Sequence, residues 1–354
     1  MAGIRGVSPG VADALPVVID CNGQLGTGSG TGSLVSGTAK IGSTDGAVEI
    51  LAGNQVAIRI QPPSTYAHGP NISLGSLLNV AGGLAVQAAT VGGGGGNTGD
   101  TQNSATASYS TIAGGGGNNA SGFAGAIAGG ISNSAGSYGA IGGGGNNAAS
   151  GQYATVGGGN GNVASGNLAI VSGGAFNSAL GIASFAAGFR AKAVNNGCFA
   201  WADNTNADFS CTTNNAFTAR AAGGVYLYTS ANLATGCQIP AGGGAWSCTS
   251  SRETKTDFTT MNPIDVLTRV ASLQMTQWRY RTEVSGARHV GPMAEDFHAA
   301  FGLGDSTKTI NVMDASGIAL AAIQGLHQMV KDKNREIDTL KRDLAAIKKK
   351  LGLD

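Results

Sequence analysis

The sequence predicts a mainly β, trimeric protein in which a β-solenoid head leads into a smaller α+β domain that ends in a long coiled-coil helix. Three observations carry this. Glycine supplies 60 of the 354 residues, with only 12% charged and 6% aromatic. A unit of 14 or 15 residues repeats through the middle of the chain. From about Arg252 onward, charge, aromatic rings and helix formers replace glycine. A chain so poor in large apolar side chains cannot build one thick core, so repetition and association must offset the entropy of ordering its glycines.

The N-terminal region, 1–104, holds short alternating runs such as Ala47 to Leu51 and Val56 to Ile60, broken by Pro62 and Pro63. These read as short strands. Its place at the end of the chain predicts a joint to a larger particle, a baseplate or tail partner. The N-terminus has no basic segment followed by an apolar one, so no secretory signal is expected. No stretch approaches the length of a membrane-spanning helix, so no membrane insertion is expected either. A net charge of +1 with scattered basic residues gives no footprint for nucleic acid.

The repeats occupy 105–193. An apolar residue followed by small ones recurs at Ile112, Ile127, Ile141, Val156 and Val171, and an asparagine leads into Ala, Ser or Val at Asn119, Asn133, Asn147, Asn162 and Asn177. A unit such as Ala-Thr-Val-Gly-Gly-Gly-Asn-Gly-Asn-Val-Ala-Ser-Gly at 154–166 is too short for a helix pair and reads as one coil of a solenoid. Glycine and asparagine suit its turns because they accept positive φ. Small inward residues leave a thin coil, and neighbouring chains around a common axis are expected to supply the remaining apolar contact. The segment resembles the head repeats of trimeric autotransporter adhesins, which implies single-coil left-handed β-rolls packed three to an axis. The glycine run at 92–96 lacks the Lys-Ser/Thr that follows a phosphate loop, so it reads as a turn.

A β-rich connector is expected over 194–249. Its aromatics, Phe199, Trp201, Phe209, Tyr226 and Tyr228, read as packing beneath the transition between domains, with a host-surface receptor site as the other reading. Five cysteines, Cys21, Cys198, Cys211, Cys237 and Cys248, show no CxxC spacing and hence no zinc or redox signature. Bridges pairing Cys198 with Cys211 and Cys237 with Cys248 are one reading; small buried thiols are the simpler one. No metal and no cofactor is expected.

Beyond the connector, 265–270 is amphipathic, and Trp278-Arg279-Tyr280-Arg281 alternates like a strand. From Ile318 to the end the pattern is one helix. Ile323, Val330, Ile337, Leu344 and Leu351 are seven apart, with Leu326, Leu340 and Ile347 at the complementary position and Lys333 interrupting it. Such a period describes a coiled-coil seam over about 318–354.

Three blocks in 241–354 carry a second resemblance: Gly-Gly-Gly-Ala-Trp-Ser-Cys-Thr-Ser-Ser-Arg-Glu-Thr-Lys at 242–255, Arg-His-Val-Gly-Pro-Met-Ala-Glu-Asp-Phe at 288–297, and Asp-Ala-Ser-Gly-Ile-Ala-Leu at 314–320. They resemble the intramolecular chaperone at the C-terminus of phage endosialidase tailspikes and tail fibres. The resemblance implies that 250–354 aligns a homotrimer and then cuts itself away at Thr249–Ser250, with Ser250 as nucleophile and Lys255 as its base. A lysine desolvated in a folded site can accept the hydroxyl proton. Many members of that family carry aspartate directly after the serine, where this chain has Ser251. His289 is a further candidate for the site, or else a packed histidine, and Arg288 is expected to pair with Glu295 or Asp296.

The resulting expectation is a trimeric fibre of a phage or phage-tail-like particle, made in the cytoplasm and found outside the cell after release. It has a single-turnover autoproteolysis and no activity on external substrates, because the solenoid is almost devoid of the carboxylate pairs that glycan cleavage needs. The alternative is a bacterial surface adhesin in which the last domain stays on as a trimerisation cap. Against it stand the missing signal and the absence of an outer-membrane anchor's alternating strands at the end of this sequence.

Overall fold

The computed structural model describes residues 17–19, 25–27, 47–52, 55–61, 69–83, 85–96, 98 and 101–353. Cys21, the Pro62–Pro63 break and the N-terminal segment read for a signal lie outside them. The chain divides into two compact units, Met1–Cys248 and Thr249–Asp354.

The first unit is mainly β. Short strands alternate between two sheets, one of nine strands and one of twelve, so that each coil adds one strand to each. Successive coils pair in parallel and in register: Ile127 lies between Ile112 and Ile141 in one sheet, and Ala135 between Ala120 and Ala149 in the other. The expected solenoid is therefore present, and its parallel coils run past 105–193 at both ends, from Asn71–Leu74 to Phe217–Arg220. At the C-terminal side, aromatic and charged residues such as Phe199, Trp201, Asp203 and Arg220 hide the small-residue pattern, while the backbone register continues. At the N-terminal side, Val48–Ala52, Gln55–Gln61 and Asn71–Leu74 form an antiparallel meander that joins the parallel sheet.

Inside the coil, two columns face each other. Val91, Ile112, Ile127, Ile141, Val156 and Val171 form the larger one and a run of alanines the smaller, all essentially solvent-free. Pairing a branched side chain with a methyl group fills so thin a coil at protein density. A third column is polar. Asn118, Asn133, Asn147, Asn162 and Asn177 are at most 1% exposed. Each Oδ1 accepts the backbone N–H one coil on, Asn133 from Asn147 at 3.1 Å and Asn147 from Asn162 at 3.0 Å, for example. Each Nδ2 bridges two glycine carbonyls, as Asn133 does to Gly129 and Gly144, both at 3.0 Å. Buried amides are thereby satisfied, which a glycine-rich turn without side chains cannot manage alone. The residue that carries this in its coil is Asn118, not Asn119, which lies on the exposed side of its strand; with two adjacent asparagines the sequence does not say which faces inward.

At the glycine corner the backbones nearly touch: Gly130 has φ +89°, and a Cβ there would meet the Gly144 carbonyl oxygen at 2.1 Å. The opposite corner departs from expectation. Tyr109, Ala124, Tyr138, Tyr153, Leu168 and Ala183 hold positive φ of 52–62° without being glycine or asparagine. Their N–H groups donate to the preceding coil, Tyr138 to Phe123 and Leu168 to Gln152, so the ladder fixes the conformation against local preference. The rings of Tyr109, Phe123, Tyr138 and Tyr153 follow one another along this edge, centroids 5.2, 5.4 and 4.7 Å apart.

The last coils carry a cap. Asp203 accepts hydrogen bonds from Arg220 Nε (2.9 Å) and the Ala222 N–H (2.7 Å), while Arg220 also donates to the Ala207 and Thr205 carbonyls. The Ala222 N–H, contributing most, the Thr205 donor at 3.1 Å and the Arg220 guanidinium hold the Asp203 carboxyl far below the usual range. Cys198 is bridged to Cys211, and Cys237 to Cys248. The free-thiol reading is corrected: Cys198 and Cys211 both point into the coil interior, and Cys237 and Cys248 face each other across antiparallel strands. Phe199 is packed, stacked between Phe185 and Phe217 at 4.6 and 4.7 Å. Trp201, Tyr226 and Tyr228 are 40–50% exposed and not buried beneath anything.

The second unit is α+β. Helix α1 spans Pro263–Ser272, α2 Ala294–Phe301 and α3 Val312–Leu351, with one hairpin of Thr276–Trp278 and His289–Gly291 between α1 and α2. Of the expected strand at 278–281 only Trp278 is in the sheet; the chain turns at Arg281. Asn262 and Asn311 cap α1 and α3, satisfying N–H groups that the first turn leaves open. Val266, Phe297, Ile318 and Ala322 form the core. Helix α3 begins six residues before Ile318, because Asn311 rather than the apolar period sets its start. Beyond Gly325 its apolar seam, from Leu326 to Leu351, is about half-exposed or more.

Candidate active site

The second unit opens at Thr249, immediately after the strand Ser247–Cys248 that the Cys237 bridge fastens to its neighbour. Residues 249–262 are exposed throughout. Within them lies a single 3₁₀ turn, Arg252–Thr254. Ser251 caps it, Oγ accepting the Glu253 N–H at 3.3 Å, and the Ser251 carbonyl accepts the Thr254 N–H (3.2 Å) and hydroxyl (2.9 Å). The Arg252 guanidinium stands 5.2 Å over the Phe258 ring.

The turn reverses the chain and brings Lys255 back to the residue before it. Lys255 Nζ donates to Ser250 Oγ at 2.6 Å. A lysine amine in contact with a serine hydroxyl is the arrangement that, once the amine is neutral, draws the proton from the hydroxyl and leaves an alkoxide to attack a carbonyl. The carbonyl nearest in sequence is that of Thr249. Desolvation of the lysine is expected on folding and trimerisation together; in the single chain Lys255 is exposed along with the rest of 249–262.

His289 sits elsewhere. It pairs with Glu283, Nε2 to Oε2 3.0 Å, and lies 4.8 Å from the Trp278 ring and 5.7 Å from Tyr280. The Glu283 carboxyl is held below its usual range, first by the His289 hydrogen bond and then by that of Ser285. Among the described residues, none of the contacts of His289 is to Ser250 or Lys255, so the structure fits the packed-histidine reading. Glu295 pairs with Lys308 at 2.6 Å and not with Arg288. Lys308 lies on the loop ahead of α3, a partner that sequence spacing does not indicate. Among the described residues no group of His, Cys, Asp or Glu is arranged to hold a metal, and no helix is long and apolar enough to cross a membrane.

One comparison with known proteins bears on the second unit. Residues 250–302 match the family of the chaperone of endosialidase. The matched segment starts on Ser250, contains Lys255, His289, α1 and α2, and ends at Gly302, ahead of α3. No curated protein matches the chain. The resemblance pointed to Ser250 and Lys255, and to Ser251 as a departure from the family's aspartate, whereas two residues that shape the second unit, Glu283 and Gly325, were missed. Ser251 is the turn's cap, Glu283 fixes His289, and Gly325 lets α3 approach α1. Of the two missed, only Gly325 left a signal, a glycine inside a helical pattern.

Proposed function

We propose that this chain is a homotrimeric fibre protein of a phage or phage-tail-like particle, whose C-terminal chaperone aligns three copies and then severs itself at Thr249–Ser250. The observation that carries the reading is the 2.6 Å contact of Lys255 Nζ with Ser250 Oγ, at the first residue of the chaperone match and one residue past the boundary between the compact units.

The chemistry is a shift of the Thr249 acyl group. Lys255 takes the hydroxyl proton, Oγ attacks the Thr249 carbonyl carbon, and the Ser250 nitrogen leaves as an amine on receiving that proton. The resulting ester is hydrolysed by water to a Thr249 carboxylate and a free Ser250 hydroxyl. An ammonium group gives up its proton more readily when withdrawn from water. Since the pair is exposed in a single chain, a covering surface from neighbouring copies would switch it on, which makes the cut a report of correct assembly.

Trimerisation is supported by α3, whose heptad positions stay exposed: Ile323 61%, Leu326 50%, Leu340 60% and Leu344 55%. Exposed apolar seams at heptad spacing are stabilised by wrapping around identical helices. Aligning three solenoids requires many non-local pairings at once and is slow; a helical bundle that registers the chains first lowers that barrier. Its removal then leaves a product that cannot easily reverse. The N-terminal region is assigned to attachment to the particle, and exposed Trp201, Tyr226 and Tyr228 to a host-surface receptor.

Denaturing mass spectrometry of the purified protein, beside Ser250→Ala, tests the reading. A fragment beginning at Ser250, absent from the variant, is the expected result, together with a trimeric mass under native conditions. A single full-length mass in both proteins would leave the C-terminal unit as a permanent cap and overturn self-cleavage.

A further inference from the structure

We infer that Ser251 is a positioning residue for the Ser250–Lys255 pair, its hydroxyl capping the turn on which the two side chains meet; this rests on reading that pair as a self-cleaving site. Five residue steps of extended chain span about 17 Å, so Lys255 reaches Ser250 only if the intervening segment folds back. The segment that does so is a 3₁₀ turn of three residues, far too short to persist on its own. Packing adds only the exposed contact of the Arg252 guanidinium with the Phe258 ring, since every residue from 249 to 262 is exposed. What remains is hydrogen bonding, and residue 251 sits at its centre. Its Oγ takes the Glu253 N–H, and its carbonyl takes both the backbone and the hydroxyl of Thr254. Its backbone, φ −69° and ψ 144°, has the extended geometry that directs a cap side chain back over the turn.

Serine, aspartate and asparagine are nearly equivalent caps, and alanine is not one. The serine at 251, in place of the aspartate expected there, is therefore an exchange of one cap for another that keeps Lys255 over Ser250. The carboxylate itself is dispensable; an acceptor at that position is not.

The test is the rate at which the fragment beginning at Ser250 appears, followed by denaturing mass spectrometry at several pH values in the full chain and in Ser251→Ala, Ser251→Asp and Ser251→Asn. Ser251→Ala is expected to be about five-fold slower, from the loss of one cap. Asp and Asn are expected to restore the wild-type rate with the same pH profile. An alanine variant as fast as wild type, or failure of both cap-competent variants, would overturn the inference. A second readout does not depend on cleavage: peptide-mapped acylation of Lys255 by an amine-reactive ester. Engaged with Ser250, Lys255 should react several-fold more slowly in wild type than in Ser251→Ala, and equal rates would overturn the inference even in a chain that never cuts. If Lys255 is protected in a Ser251-dependent way while no variant is cleaved, the cap stands and the self-cleavage reading falls.

Discussion

Lys255 Nζ rests 2.6 Å from Ser250 Oγ across one exposed turn, and the bond that would be cut lies on the other side of the serine. On the proposed reading, nucleophile, base and the bond to be cut fall within seven consecutive residues, 249–255, so activation would depend on what covers the turn.

Lys255→Arg separates the two roles of the lysine. Arginine preserves the charge and the donor but does not give up its proton near neutral pH. The variant is expected to assemble and remain uncut, giving one full-length mass where the wild type gives two. Cleavage at the wild-type rate would mean that the amine serves only as a hydrogen-bond donor.

Asn147→Leu should break the polar column of the solenoid. Asn162 would lose the acceptor for its buried N–H, the Gly143 carbonyl would lose its side-chain donor, and the Gly159 carbonyl would keep only the Gly145 N–H. An orphaned buried group costs about 1–3 kcal/mol, so a loss of about 3 kcal/mol is expected in denaturant unfolding. Asn119→Leu, on the exposed side of its strand, should stay within about 0.5 kcal/mol of wild type. Equal effects would refute the assignment of Asn118 rather than Asn119 to the column.

Gly325→Ala sets two effects against each other. Alanine favours a helix over glycine by about 1 kcal/mol. A Cβ at this position, however, would lie 2.2 Å from the Pro263 carbonyl oxygen and 3.0 Å from Leu267 Cβ, and forced overpacking costs about 1–3 kcal/mol. Since the clash is with backbone, which cannot rotate away, the second unit is expected to lose stability. A higher melting temperature in the variant would show that α1 and α3 have room to part.

The acid limb of solenoid stability should depend on Asp203. Its carboxyl is held low in the folded state by the Ala222 and Thr205 donors and by Arg220. A depressed carboxylate stabilises the fold above its unfolded value and loses that contribution as pH falls toward its folded value. The contribution should therefore be intact at neutral pH and fade only below about pH 4. Asp203→Asn should lower stability at pH 7 and flatten the dependence between pH 4 and 2, read by thermal melts across that range. An unchanged slope would place the acid sensitivity elsewhere.

The division between what was legible early and what was not follows from where each interaction lives. Period-15 spacing announced the coil because an inward position must recur once per coil, and the heptads of α3 announced a helix with an apolar seam for the same reason. Within the serine–lysine turn, the partners were named by the resemblance of the surrounding blocks to a known family, since a serine and a lysine five residues apart recur by chance. Pairings that cross between elements left no trace in order or composition: Glu283 with His289, Lys308 with Glu295, and the choice of Asn118 over Asn119.

By itself the sequence determined the repeat and the long helix, since these depend on periodicity, and it named the residues of the candidate site only through blocks that resemble a known family. Tertiary structure alone decided how far the coils extend, that the cysteines face one another, and that α3 closes on α1 at Gly325. It also decided that Lys255 meets Ser250 on an exposed turn, because solvent exposure depends on which distant elements come to lie over a turn and not on the order of residues within it.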